Sequence, residues 1–408
     1  MEDAVFFRQA AADPKNHLGE VVSKEEGRIW TFPNACVVYN PQTERAYVIE
    51  GDIYLKWLSL GGLDFGIPCI GERSTPDGEG RYSHFNDNTC SIYWSPATGA
   101  WSIMGDIRKK WASLGWERSP LGYPVTDELP TPDGVGRFNH FANAASIYWA
   151  PGTGANMING DIRNKWGSLG WERSYLGYPT SDTVDFPDGG RANEFQHGGI
   201  YWWGDTGAVD LKDVVVHYTG LHCEVETDGG GSDEPYAILG VSAPHVAHTL
   251  RTPVYESEDV DSGDSVPALI EIYRGHPYGI SISTVLMEHD HGDPDKYKDE
   301  IALAVKALHE AGKIALGEIP IVGQLAAAAA EYFLDPLMPS ISEAINDLFD
   351  WGDNRIGAST LTLSAKEMVV LATRTANTTF NNIGFKAQTE WMSGLGGSYK
   401  VYFGIVPA

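Results

Sequence analysis

Three sets of side chains in this chain have types and spacings that could do chemistry. Trp94, Trp149 and Trp202 recur in Ile-Tyr-Trp runs, and Arg81, Arg137 and Arg191 each follow a glycine-rich turn upstream of them. An indole face stacks on the apolar face of a sugar while its N–H reaches a hydroxyl, so these six residues are candidates for glycan binding. The structural alternative is that the tryptophans pack in the core and the arginines bond neighbouring carbonyls or Asp77, Asp133 and Asp188. The second set is acidic and clusters in loops of the C-terminal half: Asp228/Asp233/Glu234, Asp259/Asp261/Asp264, Glu288/Asp290/Asp293/Asp295 and Asp350/Asp353. Carboxylates alternating with Gly or Ser are what Ca²⁺ requires, because it takes six to eight hard oxygens at flexible geometry. A solvated acidic surface is the plainer reading, and it suits the Asp259 cluster best. The third set, His289-x-His291-x-Asp293, has part of a zinc spacing, but Pro294 stands where the next histidine would be. His309-Glu310 does not continue as HExxH, and GxSxG, P-loop and dinucleotide glycine patterns are absent. No catalytic residue is assigned.

Composition narrows the classes. The 408 residues carry 55 Asp+Glu against 29 Lys+Arg, a formal charge of -26, which repels phosphate backbones and argues against nucleic acid. Apolar residues at 42% allow proper cores, and 46 Gly with 13 Trp suggest tight turns and aromatic platforms. The most apolar stretch, 314–334, is broken by Glu318, Pro320, Gln324 and Glu331 and fails as a membrane span. Cys36, Cys69, Cys90 and Cys223 form no CxxC; Cys69 and Cys90 alone lie close enough in sequence to suggest a pair. The first residues show neither a basic start nor an apolar core of signal-peptide length.

The elements that must position the tryptophans belong to an internal repeat. Leu121-Gly-Tyr-Pro124 recurs as Leu176-Gly-Tyr-Pro179, 55 residues on, and Asp106-Ile-Arg and Trp111 recur as Asp161-Ile-Arg and Trp166 at the same interval. Asp77-Gly…Gly80-Arg81…Phe85 matches Asp133-Gly…Gly136-Arg137…Phe141 and Asp188-Gly-Gly190-Arg191…Phe195, and a degenerate first copy carries Leu18-Gly19 and Trp57. Each copy reads as a turn, two short strands joined through a Thr-Gly turn, and a short helix begun by an acidic residue. Trp57, Trp111 and Trp166, with Phe85, Phe141 and Phe195, are expected in the core. The last copy lacks its helix, while Asp3–Ala12 reads as a helix ahead of the first. This predicts four repeats closed into a ring.

These motifs resemble the LGFP repeat family over residues 1 to about 211, with departures at Gly66-Ile-Pro68 and Gly19-Glu20. The resemblance implies attachment to cell-wall or other glycans at an extracellular site or cell surface, without chemistry of the repeats' own. A cytoplasmic location is the alternative.

Beyond residue 212 the pattern turns to strands: Val214–Val225, Ala237–Val241, Leu269–Tyr273, Ile280–Met287, Leu361–Leu363 and Tyr399–Ile405 read as an antiparallel β-sandwich, with a helical insertion at about 296–349. Asp228-Gly-Gly-Gly-Ser-Asp233-Glu-Pro-Tyr236 is similar to the first calcium loop of a C2 domain. Glu288-His-Asp290 and Asp353-Asn-Arg-Ile-Gly357 resemble the two ends of its third loop, here split by the insertion. This resemblance implies calcium held by Asp228, Asp233, Glu288, Asp290 and Asp353. The expectation is a mainly β protein, a closed four-repeat ring (1–211) joined to a C2-like sandwich (212–408), acting as a non-catalytic, calcium-binding glycan or cell-wall recognition protein. Two rivals fit the same residues: a calcium-dependent membrane-active protein whose insert meets lipid, and a glycan hydrolase with its site at the domain junction.

Overall fold

The computed structural model describes residues 18–25, 28–228, 233–244, 246–254, 260–289, 298, 302 and 355–408. Among these the chain is mainly β, with four short delimited helices and several small antiparallel sheets, none closed on itself. It divides into two compact bodies, Met1–Thr183 and Val184–Ala408. The helix expected at 3–12, the ring closure that depends on it, and the insertion at 296–349 lie outside the described residues, except that Lys298 and Ala302 are helical.

The repeats are built alike. The first is a four-stranded meander of β1 (Ser23–Glu25), β2 (Ile29–Phe32), β3 (Ala35–Asn40) and β4 (Arg45–Glu50), followed by helix α1 (Gly51–Ser59). The second has β5 (Arg73–Ser74), β6 (Arg81–Phe85), β7 (Cys90–Ser95) and β8 (Gly99–Met104), then α2 (Gly105–Leu114). The third has β9 (Leu129–Pro130), β10 (Arg137–Phe141), β11 (Ala145–Ala150) and β12 (Gly154–Asn159), then α3 (Gly160–Leu169). The fourth, β13 (Val184–Asp185), β14 (Arg191–Phe195), β15 (Gly198–Trp203) and β16 (Gly207–Leu211), has no helix behind it and belongs to the C-terminal body.

In the N-terminal body sheets and helices alternate. Ile53 and Trp57 of α1 pack against Cys36, Val38 and Ile49 of the first sheet and Phe85, Cys90 and Ile92 of the second. Ile107 and Trp111 of α2 pack against Tyr93 and Ile103 of the second sheet and Phe141, Ala145 and Ile147 of the third. The second sheet is therefore covered on both faces, which explains why β7 is buried at almost every residue instead of alternating. The expected core tryptophans and phenylalanines are all buried.

Successive repeats are joined by a tyrosine. The hydroxyl of Tyr123, in the turn of the third repeat, lies 2.8 Å from both carboxylate oxygens of Asp77 and 2.9 Å from Thr75 Oγ1. Tyr178 makes the same contacts with Asp133 and Thr131. Gly80 is glycine because of this contact: a Cβ there would sit 2.4 Å from the Trp94 carbonyl and 2.6 Å from the Tyr123 hydroxyl. Half-buried ion pairs add a longer tie, Lys56 to Asp127 and Lys110 to Asp182, each 2.9 Å.

The C-terminal body has a sheet of order β20-β17-β27-β25, from β17 (Val214–Val225), β20 (Ser265–Gly275), β25 (Ala387–Gln388) and β27 (Gly397–Pro407), with β26 (Met392–Gly394) also on β27. A second sheet has order β19-β18-β21-β22, from β18 (Pro235–Ala243), β19 (Val246–Arg251), β21 (Ile280–Glu288) and β22 (Arg355–Leu363). Inward residues of both, Tyr218, Leu239, Ile282 and Phe403 among them, share one core with α4 (Ala365–Thr373). A separate two-stranded hairpin of β23 (Thr378–Phe380) and β24 (Ile383–Phe385) packs on β17 and β27, with Phe380 against His222 and Phe385 against Tyr402. Phe186, Trp203 and Leu211 of the last repeat join that same core, and Tyr278 donates its hydroxyl to Glu194 of β14. This packing places the fourth sheet in the C-terminal body.

All four cysteines are free. Cys69 donates its N–H to the His84 carbonyl on one side of β6, and Cys90 pairs with Phe85 on the other. Two strand spacings, about 10 Å, separate them, beyond the ~7 Å that a disulfide spans.

Candidate glycan-binding site

The six candidate residues fall into three pairs set by strand register. Arg81 lies directly opposite Trp94, Arg137 opposite Trp149, and Arg191 opposite Trp202. Directly opposed residues in an antiparallel ladder point to the same face, so each indole has a guanidinium beside it. Arg191 stacks over the Trp202 ring at 5.7 Å. The three tryptophans occupy the one half-exposed position in otherwise buried strands. Their indole N–H groups have no acceptor among the described residues, whereas Trp57 donates to the Gly66 carbonyl and Trp203 to Asp188.

Each arginine is also tied to an acid, though not the one the turn suggested. Arg81 donates through Nε to Glu72 and stands 3.5 Å from Glu50; Arg137 donates to Glu128 in the same way. Glu72 also accepts the Glu50 N–H just ahead of α1, and Glu128 the Met104 N–H just ahead of α2. Burial pushes both carboxyls above the usual carboxylate range, and the arginine's hydrogen bond and charge oppose it. In the last repeat, where no helix follows, the acid is Asp185, directly opposite Arg191 at 2.9 Å and exposed. Asp77, Asp133 and Asp188 are committed elsewhere, to Tyr123, Tyr178 and Trp203. An indole face, an anchored guanidinium and a carboxylate thus recur three times on rigid strands. The acids went unread because they lie in two-residue strands or loops with no periodic signal.

The expected calcium ligands are less convergent. Both Asp233 oxygens serve the fold: they accept from the Thr227 N–H and hydroxyl and from the Tyr399 hydroxyl. Asp228 is exposed and Glu288 buried, and Asp290 and Asp353 lie outside the described residues. Among the described residues no group of three His, Cys, Asp or Glu side chains gathers to hold a metal. His291 and Asp293 of the zinc-like spacing also lie outside them. No described helix is long and apolar enough to cross a membrane.

Comparison with known proteins places LGFP repeats at residues 65–119, 121–174 and 176–216. These cover the second, third and fourth sheets; the first repeat, outside the match, has the same meander and helix. No curated protein matches the chain. Among solved structures, a candidate 6-phosphogluconolactonase from Bacteroides fragilis is 10% identical at TM-score 0.12, over 66% of this chain and 79% of that one. The extracellular domain of a candidate one-component system from B. thetaiotaomicron is 9% identical at TM-score 0.13, over 66% of this chain and 33% of that one. Likenesses this low carry no argument about fold or function.

Proposed function

We propose that the protein is a non-catalytic glycan-recognition protein whose LGFP repeats present Trp94/Arg81, Trp149/Arg137 and Trp202/Arg191 to a polysaccharide. The observation that carries this is the repeated pairing of a half-exposed indole, its N–H unspent, with a fixed guanidinium on the adjoining strand. Three weak sites on one chain gain by multivalency on a polymer with repeating units, and a cell-wall polysaccharide is such a polymer. On this reading the repeats close through residues 3–12, and the two-sheet domain is C2-like, with calcium at Asp228, Glu288, Asp290 and Asp353.

The test is retention on insoluble wall polysaccharide and on a glycan array, with and without EDTA. Each Trp→Ala change should weaken retention about tenfold, the scale of one lost stacking contact, with little loss of melting temperature. Undiminished retention in the triple variant would refute the proposal.

A further inference from the structure

A second repeated cluster lies on the opposite face of the same sheets. In the second repeat Arg108, from α2, donates through Nε to Ser91 Oγ at 2.5 Å, and Ser91 Oγ lies 2.8 Å from His84 Nδ1. The Arg108 guanidinium stacks over Trp116 at 5.0 Å, and that ring also stacks with His84 and Tyr93. In the third repeat Arg163 donates to Ser146 at 2.6 Å, Ser146 meets His140 at 2.7 Å, and Arg163 stacks over Trp171 at 5.1 Å; here one terminal nitrogen, Nη2, also lies 3.3 Å from His140 Nδ1. The first repeat has Tyr54 where these arginines stand, so the cluster exists twice.

Two features set it apart from ordinary packing. Arg108 is 8% exposed, yet no carboxylate pairs with it and its terminal nitrogens have no acceptor among the described residues. A guanidinium that has lost its water normally gains a carboxylate or phosphate partner. These nitrogens are not among the unpaired atoms fully sealed from solvent. The second feature is strain: Trp116 and Trp171 have φ of 58° and 57°, a left-handed conformation costly for an aromatic residue. Backbone strain repeated in two copies and spent on laying a ring over an arginine is what a ligand clamp requires.

We infer that Arg108 with His84 and Ser91, and Arg163 with His140 and Ser146, form two equivalent binding sites for an oxyanion, a carboxylate or a phosphate ester, under the Trp116 and Trp171 rings. The terminal nitrogens of Arg108 donate to both oxygens of such a group; in the third repeat Arg163 Nη1 donates, and Nη2 turns from His140 to the ligand. The neutral imidazole presents its Nε2–H, because Nδ1 faces the serine hydroxyl. Arg73's charge also bears on His84, while the buried Glu117 bears on Tyr93 across the same stack.

The inference is independent of the stacking sites on the opposite face and is tested separately. The intact protein, labelled at tryptophan, is titrated with acetate, inorganic phosphate and an oligogalacturonate while the Trp116 and Trp171 indole signals are followed by NMR. Saturable shifts of both signals are expected; phosphate and acetate arms distinguish the two anion classes, and the oligogalacturonate shows whether a carboxylate on a glycan enters. Arg108→Gln should abolish the Trp116 shift and leave that of Trp171, and Arg163→Gln the reverse. Arg108→Lys keeps the charge without the fork and should weaken binding at least tenfold. Trp94→Ala should change none of these shifts. The absence of saturation by any of the three anions in the wild-type protein overturns the inference, as does an Arg108→Gln variant that folds and keeps the Trp116 shift.

Discussion

The hydroxyl of Tyr123 sits 2.8 Å from both carboxylate oxygens of Asp77, across the boundary between two repeats. Burial raises the Asp77 pKa, but hydrogen bonds from Thr75, the Glu79 N–H and Tyr123 outweigh it and hold the carboxyl below the usual range. Asp133 is held down in the same way, and its partner Tyr178 is pushed up to about 12 by burial and the bonded carboxylate.

Tyr123→Phe and Tyr178→Phe should each cost about 0.5–1.5 kcal/mol, the net worth of a hydrogen bond to a carboxylate that water can partly re-solvate. A lowered carboxylate pKa stabilises above the unfolded value and is lost as pH falls through the folded one. The gap between wild type and variant should therefore close below pH 3.8, read from urea unfolding at pH 7 and pH 3. A gap that persists unchanged in acid would show that the tyrosine acts by packing alone.

The last repeat has no following tyrosine and differs at two positions together. Phe186 stands where Thr75 and Thr131 stand, and Trp203 where Ser95 and Ala150 stand. Their rings stack at 5.6 Å, and the Trp203 indole donates to Asp188 at 2.6 Å in the tyrosine's place. The last repeat thus supplies its own donor to this aspartate, and the Phe186–Trp203 pair joins the core of the C-terminal body. Trp203→Ala should cost about 3–5 kcal/mol, the scale of a large core truncation. Thermal melting monitored in both bodies should show the C-terminal transition lowered and the N-terminal one little moved; the opposite pattern would contradict this role.

Period and punctuation made the repeats legible: the Asp-Gly-x-Gly-Arg and Leu-Gly-Tyr-Pro runs mark turns, and the structure explains Gly80 and Gly136 by close approach of Tyr123 and Tyr178 and Gly78, Gly122 and Gly134 by positive φ. The strand runs of the C-terminal half were equally readable, since β17 and β21 are long, rich in β-branched and aromatic residues, and buried along most of both faces. Helix α4 went unread although Ser364 and Glu367 form a capping box, because its nine residues follow a strand with little break in hydrophobicity. The tryptophan–arginine pairing was hidden for a different reason: it depends on strand register, which the spacing of Arg81 and Trp94 suggests only once the hairpin turn is known. Arg108 and His84 belong together through a helix folded back on its sheet, a contact that no sequence period signals.

His84 and His140 make stability fall in mild acid. Burial and the adjacent arginines lower both to about 4 from 6.5. The unfolded histidines take up protons as pH falls through 6.5, while the folded ones resist until about 4. Stability is therefore lost across that window, by on the order of 1–2 kcal/mol per histidine once their partial exposure is discounted. The urea midpoint should drop between pH 7 and pH 5, and the drop should shrink in the His84→Gln/His140→Gln variant. An identical drop in that variant would assign the effect to other groups.

Asp233 is nearly sealed, 2% exposed, and its oxygens tie the end of β17 to β27 through Thr227 and Tyr399. Asp233→Asn keeps the shape but turns one acceptor into a donor facing Thr227 or Tyr399. Burial and the bonded carboxylate also push the Tyr399 hydroxyl well above its ordinary range, so this phenol stays a donor and needs an acceptor. The variant should lose about 2–4 kcal/mol, as expected where one member of a buried charge-assisted network is removed. That loss should appear in full in EDTA, because the contacts are made within the chain. Calcium added to EDTA-treated wild type tests the neighbouring acids separately: a ligand that binds the native state raises the melting temperature with concentration, and Asp353→Asn should remove the rise. A melting curve of Asp233→Asn that matches wild type in EDTA would show that the Tyr399 bond contributes nothing to the fold, leaving Asp233 free to act as a metal ligand.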